Sequence, residues 1–166
     1  MVVLIKNFSF KYLFGEIDTS TMGNNSLKLR ISIPPVEGIE DIPIAAIEVL
    51  AEKMGFAPDK IQDIVQALTE ACINAIIYTN NGADVEIVVY AAHDALIIEV
   101  RDKGVGFDPE TIKSPDFELM QQVGGGSGGF GLHMIKALVD KVEIDSSPAG
   151  TTIRMSKYLQ PAISQA

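Results

Sequence analysis

Val85-Glu86-Ile87-Val88-Val89-Tyr90-Ala91 and Ala95-Leu96-Ile97-Ile98-Glu99-Val100-Arg101-Asp102-Lys103-Gly104-Val105-Gly106 decide the fold. Val85, Ile87 and Val89 share one face of an alternating run. Leu96, Ile98 and Val100 share one face of the next, with His93-Asp94 as the turn of a hairpin between them. The second strand ends at Arg101 and breaks at once through Asp102-Lys103-Gly104-Val105-Gly106. Two glycines there permit positive φ and let backbone approach a flat ligand, while a carboxylate at the strand end can accept a hydrogen bond from an exocyclic amine. A lone Asp-x-Gly-x-Gly serves equally well as an ordinary surface turn. Its meaning depends on what flanks it.

Upstream, Leu27, Leu29, Ile31 and Ile33 alternate with Lys28, Arg30 and Ser32, a strand with one buried face that Pro34-Pro35 ends. A helix is predicted from about Pro43 to about Met54, with Gly55 as its stop. A second opens at Pro58-Asp59 and runs to about Tyr78, where Thr79-Asn80-Asn81-Gly82 breaks it. Downstream of the hairpin lie the glycines of residues 124–131, a helix from about Phe130 to Asp140, a strand over Val142–Ser146, a turn at Pro148-Ala149-Gly150 and a strand over Thr151–Met155. This order predicts an α/β two-layer sandwich, a mostly antiparallel mixed sheet packed on about three helices.

On the second helix, at about 100° per residue, Ile61, Ile64, Val65, Leu68, Cys72, Ala75 and Ile76 fall on one side and Asp63, Glu70 and Asn74 near the other. Glu70 and Asn74 are stacked neighbours one turn apart. An arbitrary Glu and Asn at this spacing belong to a solvated stripe. Here Ala67, Ala71 and Ile77 lie beside them, so the stripe is narrow and suits the border of a cleft. Glu supplies a base, and Asn a neutral carbonyl oxygen, a hard ligand for Mg²⁺ that adds no negative charge beside a triphosphate. The glycines of residues 124–131 end where a helix begins, which lets free amides at its N-terminus meet phosphate oxygens. Ordering so much glycine without a ligand is costly, so Asp108–Gly129 is expected to be a mobile lid. Taken in order, these pieces predict ATP binding.

The bulk properties narrow the partners. A chain of 166 residues with 47% apolar and 21% charged residues suits one globular domain. Its formal net charge of −9 comes without the clustered Lys and Arg that nucleic acid requires, so a protein or small-molecule partner is expected. Cys72 stands alone among Ala71, Ile73 and Ala75 and reads as a small core side chain in a reducing compartment. No apolar run approaches the ~18 residues of a membrane span. Met1–Phe14 lacks the pattern of a secretory signal, and its alternating Phe8, Phe10, Tyr12 and Phe14 suit an added edge strand or an interface. Residues 1–26 are therefore set apart as an extension and linker, 27–158 as the domain and 159–166 as a tail.

Glu70-Ala71-Cys72-Ile73-Asn74-Ala75, Asp102-Lys103-Gly104-Val105-Gly106, Gly129-Phe130-Gly131-Leu132 and Gly150-Thr151-Thr152-Ile153-Arg154 resemble the N, G1, G2 and Thr boxes of the gyrase, Hsp90, histidine kinase and MutL (GHKL) ATPase superfamily. Within it the chain is most similar to the small bacterial anti-sigma factor serine/threonine kinases, over roughly Leu27 to Tyr158. The resemblance implies a Bergerat-type fold with ATP between the helices and the lid. It implies Glu70 as general base, Asn74 as Mg²⁺ ligand, Asp102 as adenine anchor and Gly104 and Gly106 as the base-side turn. It further implies Gly129 and Gly131 as phosphate-side backbone and Thr151 as a helper near the adenine.

Tyr78 followed by Thr79-Asn80-Asn81 departs from the His-containing ending common in such kinases. His93 and His133 read as surface or helix residues, since neither sits on a predicted dimerisation hairpin. The expected activity is a cytoplasmic ATP:protein serine/threonine phosphotransfer onto a STAS-type anti-anti-sigma protein, with sequestration of a sigma factor and homodimerisation as further expectations. Two alternatives stand beside it: a nucleotide-dependent binding module without phosphotransfer, and a histidine-kinase-like ATPase domain acting on a separate phosphotransfer protein.

Overall fold

The computed structural model describes residues 27–108 and 130–159, in the order β1 (Leu27–Ile33), α1 (Asp41–Met54), α2 (Pro58–Tyr78), β2 (Val85–Ala91), β3 (Ala95–Arg101), α3 (Phe130–Leu138), β4 (Lys141–Ser147) and β5 (Gly150–Tyr158). The strands form one sheet in the order β1-β2-β3-β5-β4. Every neighbouring pair is antiparallel, so the expected mixture contains no parallel pair among the described strands. The Phe8–Phe14 alternation, nearly all of the expected lid and the tail after Leu159 lie outside the described residues.

Local chemistry sets the helix ends. Pro43 sits inside the first turn of α1, where its missing N–H leaves no bond unmade, and Asp41 places a negative charge at the same end. Gly55 closes α1 in the left-handed region, φ +87°, with its N–H directed to the carbonyls of Ala51 and Glu52. Pro58 opens α2, and the turn after Tyr78 uses positive φ at Asn81 and Gly82. α3 ends at Leu138, short of the expected Asp140, because the Asp140 amide turns to the Ser156 carbonyl 3.0 Å away. β5 continues past the expected Met155 because Ser156, Lys157 and Tyr158 pair with Ile97, Leu96 and Ala95.

The register puts Ile31 and Ile33, Ile87 and Val89, Leu96, Ile98 and Val100, and Ile153 and Met155 on one face of the sheet. They form a single core with Ile47 and Ala51 of α1, Ile61, Ile64, Leu68, Cys72 and Ala75 of α2, and Leu132 and Ile135 of α3. The opposite face carries a ladder of charges. Glu86 holds Arg30 and Arg101, buried Glu99 holds Arg101 and Arg154, and Glu143 holds Lys141 and Arg154, so the ladder crosses all five strands. Partial burial alone would lower the pKa of Arg101, but hydrogen bonds and charge from Glu99 and then Glu86 outweigh it and raise the value. Among the described residues, no helix is long and apolar enough to cross a membrane.

Candidate functional site

The turn after β3 is tied to the start of β5 through one carboxylate. Asp102 Oδ1 accepts hydrogen bonds from the Gly104 amide at 2.6 Å and the Thr151 amide at 3.2 Å, and the Asp102 amide donates to the Thr151 carbonyl at 2.9 Å. No hydrogen bond to Oδ2 is formed among the described residues, which leaves this half-buried side chain an acceptor to offer. An amine in the plane of an aromatic base suits such an oxygen.

The glycines of this turn are fixed by close approach. A Cβ on Gly104 would overlap the Tyr78 carbonyl oxygen at the end of α2. Gly106 adopts φ +71°, and a Cβ there would run into the Ser147 carbonyl. Backbone from α2, β4 and β5 therefore meets the turn at van der Waals distance, which only glycine allows. Ser146, expected only as a strand end, and Thr79, expected only as a helix stop, pin the same turn. Ser146 Oγ accepts from the Phe107 amide at 2.8 Å and lies 3.1 Å from Thr151 Oγ1. Thr79 Oγ1 accepts from the Lys103 amide at 3.4 Å and donates to the Ala83 carbonyl at 3.2 Å. The inward alternation Val142, Ile144, Ser146 was the available signal for Ser146, a hydroxyl at a core-facing position.

The second part of the site lies where α2 meets α3. Glu70 and Asn74 are half-buried on α2, beside fully buried Ala71. A Cβ on Gly131, at the start of α3, would come within 2.8 Å of Glu70 Oε2 and 3.0 Å of Asn74 Nδ2. The carboxylate, the carboxamide and the first turn of a helix thus converge without an intervening side chain. That donor set fits a magnesium-bound triphosphate: a hard neutral oxygen at Asn74, a base at Glu70 and backbone amides at a helix N-terminus. Gly129 lies outside the described residues. Asp63, expected on the same polar stripe, pairs there with Lys157 at 2.8 Å. Ile77 and Tyr78 end α2 exposed, and His93 sits exposed in the β2–β3 turn.

Two neighbouring features do different work. An open depression of about 500 Å³ borders Asp102 and includes Ser32, Glu86, Arg101, Asp145 and Thr152. The strand register places those residues on the face of the sheet opposite the described helices, away from Glu70 and Asn74, so this depression is not where α2 meets α3. Cys72, fully buried in the core next to the Glu70 turn, has its thiol pushed up to about 12 by burial and then by the charge of Glu40. It is an inert core group.

The sequence profile of the histidine kinase-like ATPase domain family matches residues 43–157. The serine-protein kinase RsbW of Bacillus cereus (strain Q1) is 32% identical over 138 residues, spanning 80% of this chain and 86% of that protein. The serine-protein kinase RsbW of Bacillus mycoides (strain KBAB4) matches to the same extent, 32% over 138 residues. Among solved structures, the RsbU and RsbW domains of Rv1364c from Mycobacterium tuberculosis superpose with a TM-score of 0.56 at 23% identity, over 81% of this chain and 33% of that one. This last likeness concerns the fold.

Proposed function

The chain belongs to the histidine kinase-like ATPase domain family, in the group of anti-sigma factor serine/threonine kinases, and on that premise we propose that it transfers phosphate from ATP to a serine or threonine of a STAS-type anti-anti-sigma protein. The observation that carries the reading is the convergence of Glu70, Asn74 and Gly131, a base and a neutral oxygen ligand set against the start of a helix. Asp102, Gly104, Gly106 and Thr151 take the adenine, and Gly131 together with Gly129 takes the phosphates. Asn74 is the ligand for Mg²⁺, which when bound offsets the charge of the triphosphate.

In this reading Glu70 accepts the proton of the substrate hydroxyl as that oxygen bonds to the γ-phosphorus and the bond to the ADP oxygen breaks. The carboxylate ends protonated and ADP leaves with the bridging oxygen. General-base assistance of this kind contributes on the order of 10²- to 10⁴-fold. Most of the remaining acceleration comes from holding the phosphoryl group in line, because a loose transition state asks little covalent work of the protein. The acidic chain, −9 overall, suits a protein partner with basic patches. Sequestration of a sigma factor, homodimerisation and a cytoplasmic location complete the proposal.

Incubation of the full chain with γ-labelled ATP and a candidate STAS protein tests it. Acid-stable label on the partner, reduced at least a hundredfold by Glu70→Gln, is the expected result. Acid-labile label would assign the chain to histidine phosphotransfer instead. Nucleotide-dependent capture of the partner without label would make it a binding module.

A further inference from the structure

Lys157 breaks the pattern of its strand. Along β5 the residues facing the helices are Thr151, Ile153, Met155 and Lys157, and this lysine is only 8% exposed. Its Nζ donates to Asp63 Oδ2 of α2 at 2.8 Å and to the carbonyl oxygen of Leu138, the last residue of α3, at 2.5 Å. One ammonium group therefore joins β5, α2 and the C-terminal end of α3, where a positive charge also complements the helix dipole.

The two ends of α3 meet one stripe of α2. Gly131, at the start, lies against Glu70 and Asn74, and Leu138, at the end, shares Lys157 with Asp63. Asp63 precedes Glu70 on that stripe by about two helical turns, or ~10.5 Å at 1.5 Å per residue. The helices run antiparallel, pinned by close backbone approach at the nucleotide end and by a charge at the other. An apolar residue would fill the Lys157 site at lower desolvation cost, and an ion pair whose lysine is buried while Asp63 stays partly exposed is better suited to fixing a register than to adding stability.

We propose that Lys157 and Asp63 are positioning residues that set the register of α3 on α2, and through it the placement of the Gly131 amide over Glu70 and Asn74. The proposal rests on the nucleotide reading above. It assigns the pair no contact with substrate. Their effect is on the phosphate end of the site, about two turns away, and leaves the Asp102 end untouched.

The test compares Lys157→Met, Asp63→Asn and Lys157→Arg with the parent full chain, measuring Mg·ATP and ADP affinities, phosphotransfer kcat and KM, and amide hydrogen exchange in α3. A misplacement of about 1 Å can cost on the order of 100-fold in rate. The expected result is a kcat roughly ten- to a hundredfold lower in Lys157→Met, with KM for the protein substrate unchanged and the preference for ATP over ADP reduced. Exchange in α3 should rise, and Lys157→Arg, which keeps a donor for both partners, should recover part of each effect. Asp63→Asn, at a partly exposed position, should shift the same quantities in the same direction and decides the matter if Lys157→Met does not fold. Folded variants with the parent's kcat and ATP-to-ADP preference would overturn the positioning role, whatever their melting temperatures. A parent chain that bound neither nucleotide would instead overturn the reading beneath it.

Discussion

At Asp102 one side chain serves two purposes. Oδ1 organises the protein by holding the amides of Gly104 and Thr151, and this fixes where Oδ2 is presented. Its place was legible in sequence as the end of an apolar strand followed by two glycines, a pattern that an ordinary surface turn shares. Ser146 carried only its inward alternation with Val142 and Ile144, since a serine near a strand end has no distinctive neighbours until the fold brings Phe107 and Thr151 to it. Cys72 shows the opposite of a site. Its pKa is raised from 9.0 to about 12, so native and unfolded states both keep the proton below pH 9 and the thiol makes no pH-dependent difference there. As pH rises from 9 toward 12 the unfolded chain loses its proton while the native one keeps it, and stability is lost. Urea titrations over that range should show a steeper decline for the parent than for Cys72→Ala. Iodoacetamide at pH 8 should leave the native thiol unmodified and label it in urea; equal labelling rates in both would show that the site is open.

At the scale of elements, α2 is where periodicity was most informative. The apolar residues Ile61, Ile64, Leu68, Cys72 and Ala75 are buried against the sheet as their spacing requires, while Ala67 and Ala71 fill the flank toward Glu70 and Asn74. Leu68 is fully buried, so Leu68→Ala should destabilise by about 2–5 kcal/mol, with the spread set by how far the cavity collapses. Urea unfolding should record this as a lower midpoint at unchanged slope; a shift below about 0.5 kcal/mol, the range of surface substitutions, would mean that α2 does not seat on the sheet as described. The end of β5 was less legible. Ser156-Lys157-Tyr158 has no apolar alternation, and only long-range pairing with β3 makes it strand. Lys157 was hidden for the same reason, since a lysine is inward-facing only once the strand is known to continue.

Over the whole molecule, local patterns told which face of each strand is buried but not which strands are neighbours. The order β1-β2-β3-β5-β4 sets β5 between β3 and β4, and this is what brings Thr151 to Asp102 and Ser146 to Phe107. Hairpin contacts such as β2-β3 follow from sequence adjacency, whereas the β3-β5 pairing spans the α3 and β4 segment and is fixed by how the shared core closes. Asp102 thus meets Thr151 at the end of β3, and Glu70 and Asn74 meet Gly131 where α2 packs on α3, the two ends of the proposed ATP site. Calorimetric titration of Mg·ATP into the full chain and into Asp102→Ala tests this most directly. One saturable site per chain is predicted, weakened roughly ten- to a hundredfold in the variant, as loss of a hydrogen bond to a charged acceptor requires. No heat at millimolar Mg·ATP, or an Asp102→Ala isotherm identical to the parent's, would contradict it.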